Sequence, residues 1–219
     1  MNVIIIAPHL DDETLGCDDT ILRHKNDNVN CVFVTNVSEK YGFSSAQVEA
    51  QQKQIDSVSC AYNFDHVFQL KYPTTYMDTI PVTEIVSGMS EIFRQIRPEV
   101  VYLPNRSDVH SDHRVIFDAA FACTKVFRFP SVKKILMYET VSETEFTPAI
   151  ANMAFVPNYY VDITEYFEQK ISIVKMYDAE LGKFPFPRSI KNIEALAIFR
   201  GVGGGCQYAE AFQLLKWIT

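Results

Sequence analysis

The chain has 219 residues, of which 47% are hydrophobic, and this length and composition fit one domain spanning residues 1–219. The net charge is −7 and no cluster of lysines or arginines occurs, which argues against a nucleic-acid surface or a basic membrane-binding patch. No apolar run approaches the roughly 20 residues of a membrane span. No secretory signal is recognisable, so we expect a cytoplasmic protein.

Runs rich in β-branched and aromatic residues alternate with helical patterns. Residues 3–7 (Val-Ile-Ile-Ile-Ala) have no polar interruption, which is typical of a central parallel strand buried on both faces. Further strands are predicted at residues 30–36, 65–70, 99–104, 134–138 and 155–163. Helices are predicted from about residue 12, at 46–61, at 82–96, around 115–123, from an N-cap at Thr164 to about Glu180, at 190–200 and at 208–217. The alternation predicts an α/β fold with a mainly parallel sheet.

Two further features complete the reading of the chain. The glycine-rich residues 201–206 are expected to form a flexible loop, since no strand and crossover follow them as a dinucleotide-binding motif requires. The five cysteines are scattered and include no CxxC pair, which argues against a disulfide framework and a thiolate zinc site. We expect all five to be small buried side chains: Cys17, Cys31, Cys60, Cys123 and Cys206.

Ionisable residues follow the first strand. Pro8 ends the strand, so His9, Asp11 and Asp12 leave the sheet at its carboxyl edge, where ligands bind in open α/β sheets. In a helix that begins near Asp12, residues three apart lie on one side, so His9 and Asp12 can converge while Asp11 faces elsewhere. An imidazole nitrogen and a carboxylate oxygen are two ligands of a zinc site. The alternative is a loop histidine beside acids that only favour a helix N-terminus.

The exit of the fourth predicted strand repeats this pattern. His110 and His113 lie three apart at a helix start, with Asp108 and Asp112 beside them. If the two strands are neighbours, the first pair and one of these histidines complete a three-ligand site with an open position, which is typical of a catalytic zinc. A polar surface turn is the alternative for this stretch by itself.

Three stretches, spanning nearly the whole chain in order, resemble the LmbE-like, PIG-L-type zinc N-deacetylases. Residues 7–17 (Ala-Pro-His-Leu-Asp-Asp-Glu-Thr-Leu-Gly-Cys) resemble the AHPDDE/PHPDDE motif of that family. Residues 110–114 (His-Ser-Asp-His-Arg) resemble its HxDH motif, and Arg200-Gly201 with residues 208–212 (Tyr-Ala-Glu-Ala-Phe) is similar to its C-terminal R-G…AEAF segment. The resemblance implies a three-layer Rossmann-like fold and hydrolysis of an N-acetyl group on a glucosamine-type substrate.

The resemblance also implies a role for each matched residue. Its metal ligands are His9, Asp12 and His113, which would hold one Zn²⁺ per chain, with another divalent metal as the alternative. Asp11 is implied as the general base. A protonated His110 is implied to stabilise the oxyanion and to assist the leaving amine, with Asp112 holding it in its working orientation. Whether Asp11 or His110 protonates the amine stays open.

Two departures from the family pattern concern the substrate. Asp18 and Asp19 stand where members often have two glycines, and residues 41–70 contain no arginine, although many members use one there for substrate. The prediction is therefore a zinc-dependent deacetylase of an N-acetylated amino sugar or its conjugate, with the sugar unidentified. We expect no nucleic-acid partner and no integral membrane segment. The family alone suggests a homo-oligomer.

Two other functions remain as alternatives. A metal hydrolase of another class, such as a phosphoesterase, would need a second metal or a phosphate cradle, and the sequence shows no additional ligand cluster. A non-catalytic ligand-binding module on the same fold would have a decayed site, whereas the five-residue set is complete here: His9, Asp11, Asp12, His110 and His113.

Overall fold

A computed structural model describes residues 1–219 and contains one sheet of seven strands. The strands are β1 (Asn2–Ala7), β2 (Asn28–Asn36), β3 (His66–Pro73), β4 (Val100–Pro104), β5 (Lys134–Tyr138), β6 (Tyr159–Asp162) and β7 (Ala209–Trp217). Their order across the sheet is β3-β2-β1-β4-β5-β7-β6. The first five run parallel, whereas β7 is antiparallel to both β5 and β6. The predicted α/β class with a mainly parallel sheet is confirmed.

Six helices and four short 3-10 turns connect the strands. The helices are α1 (Asp12–Arg23), α2 (Ser45–Tyr62), α3 (Val82–Ile96), α4 (Ser111–Ala122), α5 (Phe167–Val174) and α6 (Ile190–Gly204). A capping box starts α2, because Ser44 accepts a hydrogen bond from the backbone N–H of Gln47 and the Gln47 side chain caps Ser44 in return. None of the helices is both long enough and apolar enough to cross a membrane.

Two apolar layers cover the sheet, one on each face. Alternate residues of β1 point to opposite sides, so Ile4 and Ile6 pack under α3 and α4 while Val3 and Ile5 pack under α1 and α2. A strand buried on both faces needs apolar residues at every position, which explains the uninterrupted run in β1. The arrangement is the predicted three-layer fold.

The C-terminal segment corrects one prediction. Residues 208–217, expected to form a helix, contain strand β7, which lies between β5 and β6 and pairs Phe212 with both Tyr138 and Tyr159. The apolar residues of this segment, such as Ala209 and Ala211, fit a strand as well as a helix, because so short a run does not distinguish the two periodicities. The long-range pairing decides between them.

Three smaller predictions were wrong. Residues 201–204 belong to α6 rather than to a loop, and the helix ends at Gly205, whose φ of +71° is left-handed. Thr164 does not cap a helix, since α5 begins at Phe167 and the Thr164 hydroxyl accepts from the Tyr208 N–H. Of the cysteines, Cys60 is exposed and Cys206 half-buried; only Cys17, Cys31 and Cys123 are buried.

Candidate metal centre

The two predicted site segments meet at the carboxyl edge of the sheet. β1 and β4 are parallel neighbours, with Ile5 opposite Tyr102, so the loops that follow them lie side by side. This adjacency was the condition on which the sequence-based metal site depended. It places His9 and the start of α1 next to His110 and the start of α4.

Three potential ligand atoms converge between the loops. The Oδ2 atom of Asp12 lies 3.5 Å from Nδ1 of His9 and 3.2 Å from Nε2 of His113. All three atoms lie within 4.8 Å of one another. The Nε2 atom of His113 is buried and has no hydrogen-bond partner, which is costly for a polar atom unless another group satisfies it. Two imidazole nitrogens and one carboxylate oxygen fit a divalent metal with an open position.

Two further carboxylates set the direction of the imidazole rings. Nδ1 of His113 donates to Asp108 at 2.9 Å, and Nε2 of His9 donates to Asp112 at 3.0 Å. These contacts place the opposite nitrogen of each ring toward Asp12, where it can bind a metal in place of a proton. Asp108 is itself held by Asn105 and by the hydroxyl of Thr144, each at 2.7 Å. The sequence had shown Asp108 only as an acid near two histidines, without a role.

Asp112 contacts His110, as the prediction has it, but through its backbone and not through its carboxylate. The Asp112 carboxylate binds His9 and accepts the backbone N–H groups of Thr75 and Met77, at 2.7 and 3.2 Å. The His110 ring is held instead by the backbone N–H of Asp112, which donates to Nδ1 at 3.1 Å. The reason is that His110 is the N-cap of α4, so its ring takes a free N–H of the first helical turn.

The proton of His110 follows from this geometry. Its Nδ1 is an acceptor, so a neutral ring carries its proton on Nε2. Burial and the neighbouring His9 charge lower the pKa of His110 to about 4. With this pKa the ring is neutral at neutral pH, and its Nε2–H is a hydrogen-bond donor.

Asp11 stands apart from this cluster, as the helix geometry predicted. Its backbone has a φ of 109°, a strained left-handed value for a residue with a side chain. Its N–H donates to Glu13, and the Tyr177 hydroxyl holds that carboxylate from the other side. Its own Oδ2 accepts from Nη1 of Arg188 at 3.0 Å. Burial and the adjacent Asp12 charge raise the pKa of Asp11, while Arg188 opposes that shift.

Arg188 and Glu13 were missed by sequence analysis. Arg188 lies 177 positions from Asp11, in the segment before α6, and no local pattern connects the two. Glu13 belongs to the motif at residues 7–17, but the sequence gives it no role beyond that of an acid at the start of a helix. Only the folded chain shows that it supports the Asp11 backbone.

A cavity of about 420 Å³ opens above the histidines. Its lining includes the ligand candidates together with Asp11, His110 and residues of α2. Ser142, Glu143, Glu180 and Arg188 also line it. A second group of potential ligands, His9, His110 and Asp112, shares His9 with the first, so it adds no independent metal site.

Comparison with known proteins identifies the family of this chain. The family model described as PIG-L, GlcNAc-PI de-N-acetylase, matches residues 4–124, which is more than half of the chain. The chain belongs to the PIG-L family. The matched residues contain every ligand candidate, since His9, Asp12 and His113 all lie between residues 4 and 124.

Relatives beyond the family model cover nearly the whole chain. Diacetylchitobiose deacetylase of Thermococcus kodakarensis is 21% identical over 227 residues, which cover 99% of this chain and 84% of the relative. The structure of N,N'-diacetylchitobiose deacetylase from Pyrococcus horikoshii superposes with a TM-score of 0.76 at 21% identity, covering 98% and 83% of the two chains.

A third similar structure has a different activity. GalB, the 4-carboxy-2-hydroxymuconate hydratase of Pseudomonas putida, gives a TM-score of 0.75 at 14% identity and covers 100% of this chain and 98% of its own. Similarity of fold therefore does not by itself identify the reaction. The residues of the site must carry that argument.

Proposed function

We propose that this member of the PIG-L family is a metal-dependent hydrolase that removes the N-acetyl group from an N-acetylated amino sugar. The observation that carries the proposal is the buried, unpartnered Nε2 of His113, which faces Asp12 and His9 at the floor of an open cavity. This atom forms no hydrogen bond and lies 3.2 Å from the Asp12 carboxylate, so a metal bound between the two would satisfy both groups.

The metal would be held by Nδ1 of His9, a carboxylate oxygen of Asp12 and Nε2 of His113, and we propose one Zn²⁺ per chain. When bound, the metal supplies Lewis-acid polarisation of the amide carbonyl and a lower pKa for water. Asp108 and Asp112 keep the two rings in the ligating orientation.

We propose Asp11 as the group that moves the proton. Its carboxylate takes a proton from the attacking water, and the resulting carboxylic acid returns it to the nitrogen of the leaving amine as the C–N bond breaks. The products are acetate and the free amine. Arg188 and Glu13 hold Asp11 in place through its side chain and its backbone. His110, with its proton on Nε2, donates a hydrogen bond to the oxyanion.

We also propose that residues 1–219 act as a single catalytic domain. Two features support this. β1 and β7, from opposite ends of the chain, lie in the same sheet, and Arg188, near the C-terminal helix, contacts the Asp11 carboxylate.

The test is release of acetate from N-acetylglucosamine and N,N'-diacetylchitobiose by protein stripped with a chelator and then loaded with one metal at a time. We expect one bound metal per chain, no acetate from the stripped protein and recovery with Zn²⁺ or another divalent ion. Acetate release that survives complete removal of metal would contradict the metal-dependent mechanism. Loaded protein that releases no acetate from any N-acetyl sugar would contradict the reaction.

A further inference from the structure

One wall of the cavity consists of glutamine side chains that the proposed chemistry does not use. Gln47, Gln51 and Gln54 all lie on the cavity side of α2. Their spacing of four and then three residues brings them to the same face of the helix. The neighbouring Gln52 points away from the cavity, where it bonds Asp56 and Gln69.

Two of these glutamines are fixed so that their NH₂ groups are free. Oε1 of Gln51 accepts the backbone N–H of Val37 at 3.0 Å and the side-chain amide of Asn36 at 3.3 Å. Oε1 of Gln47 accepts the N–H of Ser44 at 2.8 Å. Since a backbone N–H can bond only to the oxygen of an amide, these contacts determine which end of each side chain is the donor.

Gln54 is fixed the other way round. Its Nε2 donates to the carbonyl of Met176 at 3.4 Å, which leaves Oε1 as a free acceptor. The wall therefore offers two NH₂ donors and one carbonyl acceptor, without any charge. Hydroxyl groups, which both donate and accept, are complementary to such a set.

The charges around the cavity are predominantly negative away from the metal ligands. Arg188 is the one lysine or arginine that lines it, and its two terminal nitrogens are paired with Asp11 at 3.0 Å and Glu180 at 3.2 Å. Glu143 also lines the cavity. A phosphate or carboxylate on the substrate would find no free cation here and would face carboxylates.

We propose that Gln47, Gln51 and Gln54 are specificity-determining residues that bind the hydroxyl groups of a neutral amino sugar and that this cavity discriminates against sugars bearing a phosphate or carboxylate. The inference rests on the proposed function, because it identifies the substrate class of the same site. The proposed specificity argues against a phosphate-linked substrate. Such a substrate is the one that the description of the PIG-L family names.

The first measurement compares two ligands that differ by one anionic group. Metal-loaded protein is titrated calorimetrically with N-acetylglucosamine and with N-acetylglucosamine 6-phosphate, and kcat/KM for acetate release is measured with both. We expect the phosphorylated sugar to be weaker by about tenfold or more, which is the effect of one unfavourable polar contact of roughly 1.4 kcal/mol. Equal or tighter binding of the phosphorylated sugar would overturn the proposal.

Two variants test the glutamines directly. Gln51→Glu keeps an oxygen for the Val37 N–H but replaces the free NH₂ donor by a charged acceptor, so KM for the neutral sugar should rise about tenfold with kcat within about threefold. Gln54→Arg keeps a donor for the Met176 carbonyl and adds a cation, so the relative kcat/KM for the phosphorylated sugar should rise about tenfold. The matched controls, Gln52→Glu and Gln52→Arg, should change neither value.

The outcomes separate this inference from the proposed function. If both sugars are deacetylated equally well, or if the Gln52 controls act like the cavity variants, the function stands and the glutamine wall is refuted. If no acetate is released, the proposed function fails, and the wall is judged by calorimetry alone. Calorimetry supports the glutamine wall if the protein binds the neutral sugar selectively and the Gln51→Glu variant binds it more weakly. Equal binding of the two sugars refutes the glutamine wall.

Discussion

Two clusters of buried acids, one at the N-terminal end of α1 and one in its middle, differ in how their charge is compensated. At the N-terminal end, Asp12 faces two imidazoles and the His9 N–H, and the atom without a partner is a histidine nitrogen. Further along the helix, both oxygens of Asp18 and of Asp19 lie fully buried without a hydrogen-bond partner. Close to them, Lys170 donates to Glu210 at 2.7 Å.

The pKa values show what this difference means. Burial alone would raise the pKa of Asp12, but the facing His113 and His9 outweigh it, so the pKa is lowered and the carboxylate stays ionised. Burial raises the pKa of Asp18 to about 7 and of Asp19 to about 9, and Lys170 only partly opposes the shift. A buried acid that faces groups able to carry a positive charge stays ionised. Where several buried acids share a single lysine, the acids that the lysine does not compensate take up a proton.

The largest effect is expected at the N-terminal end of α1, where the proposed metal site lies. Asp12→Asn should lose both bound metal and acetate release, because it removes a proposed ligand. Asp11→Asn should keep the metal and lose about 10²–10⁴-fold in rate, since it removes only the proton acceptor. Metal content and acetate release are measured for both variants side by side. Metal-free Asp11→Asn protein would show that the two roles are exchanged.

Beside the middle of α1, Lys170→Met should leave Glu210 buried without its cation. Removing one partner of a buried ion pair destabilises a protein by about 3–5 kcal/mol, so the urea midpoint at pH 7 should fall strongly. The exposed Lys175→Met serves as the control and should have little effect. Lys170→Met protein as stable as the control would mean that Glu210 takes a proton at little cost.

Asp108→Asn tests how far the affinity for metal depends on the orientation of the His113 ring. The new NH₂ group would face Nδ1 of His113 and favour the tautomer with its proton on Nε2, which cannot bind a metal. Metal affinity should fall about 10–100-fold, as is usual when such a supporting carboxylate is lost. Competition with a chelator of known affinity measures this. Asp118→Asn, an exposed change on the same helix, should bind metal like the unmodified protein.

The smallest expected effect concerns Asp19 and pH. Because the folded pKa of about 9 lies above the 3.8 of an ordinary aspartate, the stability that Asp19 contributes is present below about pH 4 and is lost as the pH rises towards 9. Asp19→Asn has the same shape without ionisation. It should match the unmodified protein near pH 4 and exceed it at pH 8 by at least about 1 kcal/mol in free energy of unfolding. Identical pH profiles would show that Asp19 is ionised in the fold.

Much of the fold was predictable because its signals are local. The strands β1, β4 and β5 are apolar runs bounded by polar residues or prolines, and α3 carries an apolar stripe ended before Pro98. The convergence of His9 and Asp12 was predictable for the same reason, since residues three apart at a helix start lie on one side. The general chemistry of the site follows from these short-range patterns.

Other features depend on residues that are distant in sequence, and only the tertiary structure decided them. The Asp11–Arg188 contact spans 177 positions and the Thr20–Glu210 contact 190, so no local pattern indicates either. The sequence of the β7 segment fits a helix as well as a strand, and its pairing with β5 and β6 decides for the strand. The Asp112 carboxylate could have faced His110 or His9, and the choice follows from the side-by-side placement of two loops by β1 and β4. Propensity acts within one segment, whereas these contacts exist only after the segments pack together.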